Sequence, residues 1–211
     1  MSYLVKIIIP MKNSLVFIFC LFMAYTQHCL ADEPWTLEKN KDGITIWNRK
    51  TANSNLKEFK VSTILQTTPE KMLSFLKNTS NYDKWMYKID EGSVKVIKRN
   101  NDNDYYTYMT VSAPFIKTRE AITHMIFNPQ NSKGEILITL DGTPDLLPKN
   151  DKYVRIPMMK AYFKIIPLGE GKIELVHQAL SAPGGAIPDA LANLSSVDCP
   201  YSMFSKIKKL L

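Results

Sequence analysis

The 211 residues carry 27 Lys and Arg against 20 Asp and Glu, a formal net charge of +7. No aromatic RNA-binding motif accompanies this mild surplus, which excludes a nucleic-acid-binding protein while suiting transient contact with an anionic membrane surface. Of the three cysteines, two fall in the N-terminal segment described next, so Cys199 stands alone and no intrachain disulfide can staple the fold.

Lys12, an apolar run from Leu15 to Tyr25 and the end Cys29-Leu30-Ala31 before Asp32-Glu33 have the order of a secretory signal. The run is shorter than the roughly 20 residues a spanning helix needs. Cleavage is expected after Ala31, with Met11 as good a start as Met1, and the product is then exported, either periplasmic or secreted. Losing Lys6 and Lys12 leaves 25 basic against 20 acidic side chains, a charge of about +5. Residues 32–211 suffice for one domain with a substantial core, and no repeat, linker or change of composition divides them.

After Trp35, Gly43–Arg49 alternates apolar and polar residues, and Leu56–Leu65 does the same beyond the turn Asn53-Ser54-Asn55, predicting two antiparallel strands. Thr68-Pro69 caps a helix with Met72, Leu73, Phe75 and Leu76 on one face, and a short second helix holds Tyr82, Trp85 and Met86. Period-two patterns then predict strands over 93–98, 105–111, 119–127, 135–140, 153–166 and 172–180. The glycines of Pro183-Gly184-Gly185-Ala186-Ile187-Pro188 permit a reversal into a terminal helix, with apolar positions at Leu191, Leu194, Val197, Tyr201, Phe204, Ile207 and Leu211. Pro200 removes a donor inside that helix and predicts a bend between two half-helices near Cys199. The class is α+β, an antiparallel sheet with one face on the terminal helix.

The inventory for catalysis is thin. There is no Gly-x-Ser-x-Gly, and beyond residue 31 the histidines are His124 and His177. One cysteine and two scattered histidines assemble no zinc site, and no cofactor is expected. Arg119 and Glu120 take opposite faces of a regular strand. The loop Thr143-Pro144-Asp145-Leu146-Leu147-Pro148 places paired leucines in a polar connection, an apolar patch that calls for contact.

Three stretches, in order, resemble the START (StAR-related lipid-transfer) domain family of the helix-grip superfamily. Ala113-Pro114-Phe115 followed by Arg119-Glu120 resembles its proline turn and Arg–acid pair. Ala161–Pro167 resembles its small-x-aromatic strand ending in proline, and Pro183–Pro188 with Leu191 and Asn193 its entry to the terminal helix. The resemblance spans most of residues 35–211. It implies a curved antiparallel sheet wrapped around a long C-terminal helix, enclosing a tunnel for one lipid-like molecule. Sterol-carrying relatives commonly carry a second arginine six residues beyond the first, where this chain has Met125, so a greasier pocket is expected.

On this reading the protein binds and transfers a hydrophobic lipid-like ligand without catalysis. The lining is expected at Trp85, Tyr106, Tyr108, Arg119, Ala121, Thr123, Met125, Phe163, Leu191 and Leu194. A gate is expected where Leu146 and Leu147 close on Met203 and Phe204. Two rivals stand beside it: a polyketide cyclase or aromatase-like enzyme, and an interaction module with a filled core.

Overall fold

The structure, a computed structural model, describes residues 33–52 and 54–211. The expected signal segment and its expected cleavage point therefore lie outside the described residues. Strands β1 (Thr36–Lys41), β2 (Ile44–Thr51) and β3 (Ser54–Gln66) come first, then helix α1 (Pro69–Lys77), a 3-10 turn at Thr79–Asn81 and the four-residue helix α2 (Tyr82–Trp85). Strands β4 (Lys95–Asn101), β5 (Asp104–Ala113), β6 (Ile116–Phe127), β7 (Ile136–Gly142), β8 (Val154–Arg155), β9 (Met158–Gly169) and β10 (Lys172–Ala182) follow, and helix α3 (Asp189–Leu210) ends the chain.

The strands form one sheet in the order β1-β2-β3-β10-β9-β7-β6-β5-β4, and every pair along this path is antiparallel. β8 alone runs parallel, to β6 at Arg119 and Glu120, where β7 has already ended. Local chemistry accounts for much of this. Asp42 and Gly43, both at positive φ (56° and 72°), make the two-residue hairpin turn that joins β2 to β1, the strand that the sequence reading missed. The predicted strand over 153–166 is two strands, because Pro157, which has no N–H to donate, lies between β8 and β9. α1 starts as expected, with the Thr68 side chain accepting from Lys71 N, Pro69 in the first turn, and Met72 and Leu76 buried.

Because side chains alternate across a strand, one face collects Ile44 and Ile46, Val61 and Leu65, Ile173 and Leu175, Phe163 and Ile165, Ile136 and Ile138, and Tyr105 and Met125. All are buried, and the helices pack on this concave side. α3 lies against β2 and β3, fully burying Phe204 and Ile207. It is fixed in register by polar contacts. The Asn48 amide and Ser196 hydroxyl meet at 2.7 Å, and Asn193 accepts from Lys57 N at 2.8 Å and donates to Asn55 O at 3.0 Å. At the far end Tyr201 donates to Asp42 Oδ2, and Lys208 to Asp42 O at 2.7 Å.

One expectation for this helix, which is continuous through Pro200, is corrected. Its buried stripe passes through Ser196, Pro200, Met203, Phe204 and Ile207, which turns Leu194 outward, 67% exposed.

Candidate ligand-binding site

Between the sheet and α1–α2 lies a small apolar cavity of about 20 Å³. Leu76 of α1, Tyr82 and Trp85 of α2 and the following Met86 form its helical side. Met109 (β5), Met125 (β6), Ile138 and Leu140 (β7) and Phe163 (β9) form its sheet side. The packing is aromatic at the centre: Trp85 stands edge-on to Tyr82 (5.2 Å between centroids) and Phe163 (6.1 Å). Tyr82 uses its hydroxyl to tie the helices, donating to Leu76 O at 2.6 Å. Burial raises its pKa well above the ordinary tyrosine value.

The titratable groups nearby are held neutral. His177 lies on the inner face of β10, stacked on Phe163 at 4.0 Å with Nδ1 against Tyr162 O at 2.8 Å, and burial lowers its pKa to about 4. Burial likewise pushes the Cys199 thiol up to about 12, which favours the neutral thiol. Among the described residues no cluster of His, Cys, Asp or Glu could hold a metal ion.

Trp85, Met125 and Phe163 line the cavity, and Ala121, Thr123 and Arg119 continue the same inward row of β6 and are buried. Tyr106 and Tyr108 do not join them. The pairs Tyr105–Met125, Thr107–Thr123 and Met109–Ala121 share the inner face, which sends Tyr106 and Tyr108 to the outer one. There Tyr106 stacks on His124 at 4.1 Å and Tyr108 lies near Glu120. Leu194 is excluded by its exposure, and the side chain of Leu191 is outside the described residues. The lining residues that sequence reasoning left out, Leu76, Tyr82, Met86, Met109, Ile138 and Leu140, follow from the same period-two and helical patterns once the inward parity of each element is known.

Of the residues expected at the gate, Met203 and Phe204 are buried in the core under α3. Leu146 and Leu147 belong to a connection between β7 and β8 that is held elsewhere: Arg155 donates from Nε to Glu120 Oε1 (2.9 Å), from Nη1 to Pro144 O and to Leu147 O (3.0 Å), and from Nη2 to Pro148 O (3.0 Å). Asn150 adds a bond to Glu120 Oε2 at 3.2 Å, and Lys117 reaches Asp151 O. This latch joins the connection to the β5–β6 hairpin end. Phe115, at the tip of that hairpin, has φ +66° and is completely exposed, while Leu146 is 38% exposed.

A concave antiparallel sheet gripping helices around an apolar interior defines a helix-grip domain. Comparison with known proteins places it more narrowly. The STAR-related lipid transfer protein of Xanthomonas axonopodis superposes with a TM-score of 0.77 at 26% identity, covering 84% of this chain and 98% of that one. Human StAR-related lipid transfer protein 5 gives 0.73 at 15% identity over 94% and 93% of the two chains. Zhui aromatase/cyclase of a Streptomyces species gives 0.50 at 9% identity over 72% and 88%. An uncharacterized protein of Pseudomonas aeruginosa is 24% identical over 176 residues, 83% of this chain and 86% of its own. No family model matches. The chain has the START-type helix-grip fold.

Proposed function

We propose that this protein binds one hydrophobic molecule, an acyl lipid such as a phospholipid or fatty acid, between its sheet and helices, and carries it through water without chemistry. The observation that carries the reading is the cavity at the sheet–helix interface, whose walls from both layers are aliphatic, thioether or aromatic. Its likeness to lipid-transfer structures over nearly the whole described chain agrees with a carrier. Withdrawing an acyl tail of about 16 carbons from water is worth on the order of 12 kcal/mol at roughly 0.8 per methylene, so escape from a membrane is slow unless a protein interior offers comparable burial.

Ligand pockets span about 300–1,000 Å³. The present cavity of about 20 Å³ therefore has to widen on loading. Met86, Met109 and Met125, unbranched and adaptable, are suited to moving aside. The small volume also favours the filled-core interaction module as a second reading.

Docking belongs to the hairpin end in this proposal. Phe115, Ile116 and Leu146 present apolar side chains there beside the exposed Lys117, Lys149 and Lys152, a combination that suits an anionic membrane. Export after cleavage near Ala31 completes the reading, and N-terminal sequencing of the native protein at Asp32 is its check. Solvent extraction of the purified protein and mass spectrometry test the carrier: a stoichiometric lipid is expected. A preparation that is dry and takes up no added fatty acid leaves the filled-core module, and a bound polyketide leaves the cyclase.

A further inference from the structure

The concave wall holds a guanidinium without a counter-charge. Arg119 is only 7% exposed; its Nη1 donates to the carbonyl of Lys117 and its Nε has no partner. The adjacent acid does not serve it, because alternation along β6 sends Glu120 to the opposite face, where Arg155 and Asn150 occupy its two oxygens. The inward positions of β5 and β6, read from their register, contain no carboxylate. Among the described residues Arg119 forms no ion pair. A buried cation lacking a partner is costly, and the missing charge is what a ligand can bring.

Other donors on this side of the domain are also unpaired. Thr107 is fully buried between Tyr105 and Met109 with its hydroxyl unpartnered, and across from it Thr123 reaches only the Met159 sulfur, at 3.9 Å. Trp85, which lines the cavity, leaves its indole N–H unpaired. From Arg119 to Met125 the strand covers roughly 20 Å at about 3.3 Å per residue, a span that a long acyl chain fills.

We propose that Arg119 anchors an anionic oxygen group, a carboxylate or phosphate, at the head of the carried lipid, with its tail running past Ala121 and Thr123 toward Met109 and Met125. This rests on the carrier reading above and names the class of its ligand. The planar fork of arginine matches either anion through two parallel hydrogen bonds.

The test titrates the purified protein with palmitate, a lysophosphatidic acid of the same tail, hexadecanol as the neutral counterpart, and inorganic phosphate. At least one anionic lipid is expected to bind about tenfold or more tighter than hexadecanol. That ratio should collapse toward one in Arg119→Gln and Arg119→Met and return in part in Arg119→Lys, with circular dichroism melts confirming that each variant folds. A ratio that the substitutions leave unchanged, or no preference in the wild type, overturns the anchor while the carrier reading survives. Inorganic phosphate competing as strongly as the anionic lipids would make this a free-anion site and overturn the lipid assignment. Failure of all three lipids to bind folded wild-type protein overturns the carrier reading and this inference with it.

Discussion

Arg155→Ala is the sharpest test of how the β7–β8 connection is held. Glu120 is fully buried, and with Arg155 gone its carboxylate keeps the Asn150 bond at 3.2 Å and the neighbouring Tyr108 hydroxyl but no counter-charge. Removing one partner of a buried ion pair costs about 3–5 kcal/mol, chiefly because the other charge is left uncompensated. The carbonyls of Pro144, Leu147 and Pro148 also lose their donor, but at a surface loop they can turn to water, so the carboxylate dominates. For a domain of this size each kcal/mol corresponds to about 2–4 °C, which predicts a fall in Tm of roughly 6–20 °C. The loop should loosen as well, so trypsin should cut at the exposed Lys149 and Lys152 faster than in wild type. Arg155→Met combined with Glu120→Gln removes both charges and should lose less than the two single changes added together. If Arg155→Ala lies within about 1 kcal/mol of wild type, with unchanged cleavage at these lysines, the latch contributes nothing and the reasoning fails.

Ala121→Trp, on the inward row beside Met109, should cost about 1–3 kcal/mol of stability and depress lipid uptake by more than folding; a folded variant that still loads fully removes β6 from the binding site. Phe115→Asp with Leu146→Asp should slow transfer between anionic vesicles while leaving lipid already bound in place, and an unaltered transfer rate would rule out the hairpin end as the docking surface. His177 has a folded pKa near 4 against 6.5 for the free side chain, so the unfolded chain binds its proton first as pH falls. Its stabilising effect is present above about pH 6.5 and is lost on going down to about 4, on the order of 3 kcal/mol in all. Urea unfolding at a series of pH values should show a steeper acid limb in wild type than in His177→Gln, and equal slopes would mean that the imidazole is not buried neutral.

The architecture was legible because it rests on periodicity, and the site was legible only in part because parity does not survive a bulge. The two-residue turn pairs Ala113 with Ile116, and carried on unbroken that register would set Tyr106 opposite Thr123 and Tyr108 opposite Ala121, all on one face. A shift between Val111 and Ala113 moves the pairing by one residue, and both tyrosines leave the cavity. Nothing in the letters Thr-Val-Ser-Ala announces that shift. Leu194 failed for a different reason. Helical spacing allows several stripes, and the one that faces β2 and β3 was chosen by the Asn48–Ser196 bond, a contact between residues 148 positions apart. The Glu120–Arg155 pair is equally remote in sequence, so the Arg119-Glu120 dipeptide could not disclose that its acid belongs to the loop latch. The β1–β2 hairpin, by contrast, was fully signalled by Asp42-Gly43 and simply not read.

On the proposed carrier function, which element would yield to an entering ligand follows from how each is tied. α3 is a poor door: polar contacts join both its ends to β2, β3 and the Asp42 turn, and Phe204 and Ile207 are wholly buried beneath it. The segment from Asn78 to Tyr87 is held differently. It hangs between α1, anchored by Met72 and Leu76, and the stretch around Ile89, which bridges Val111 while Asp90 bonds Thr110 and Ser112. Its own α2 is a single turn, and the Tyr82 hydroxyl donates to Leu76 O of α1 at 2.6 Å, meeting the sheet only through the soft Met125 sulfur at 3.7 Å. What presses α2 onto the strands is apolar packing around Trp85, which is non-directional and can be re-made against an acyl chain with little net loss. Hydrogen bonds of α3 would have to be broken outright, whereas contacts of α2 need only be exchanged. Widening therefore costs least under α2, and the space it opens lies along the inward row of β5 and β6 that ends at Arg119.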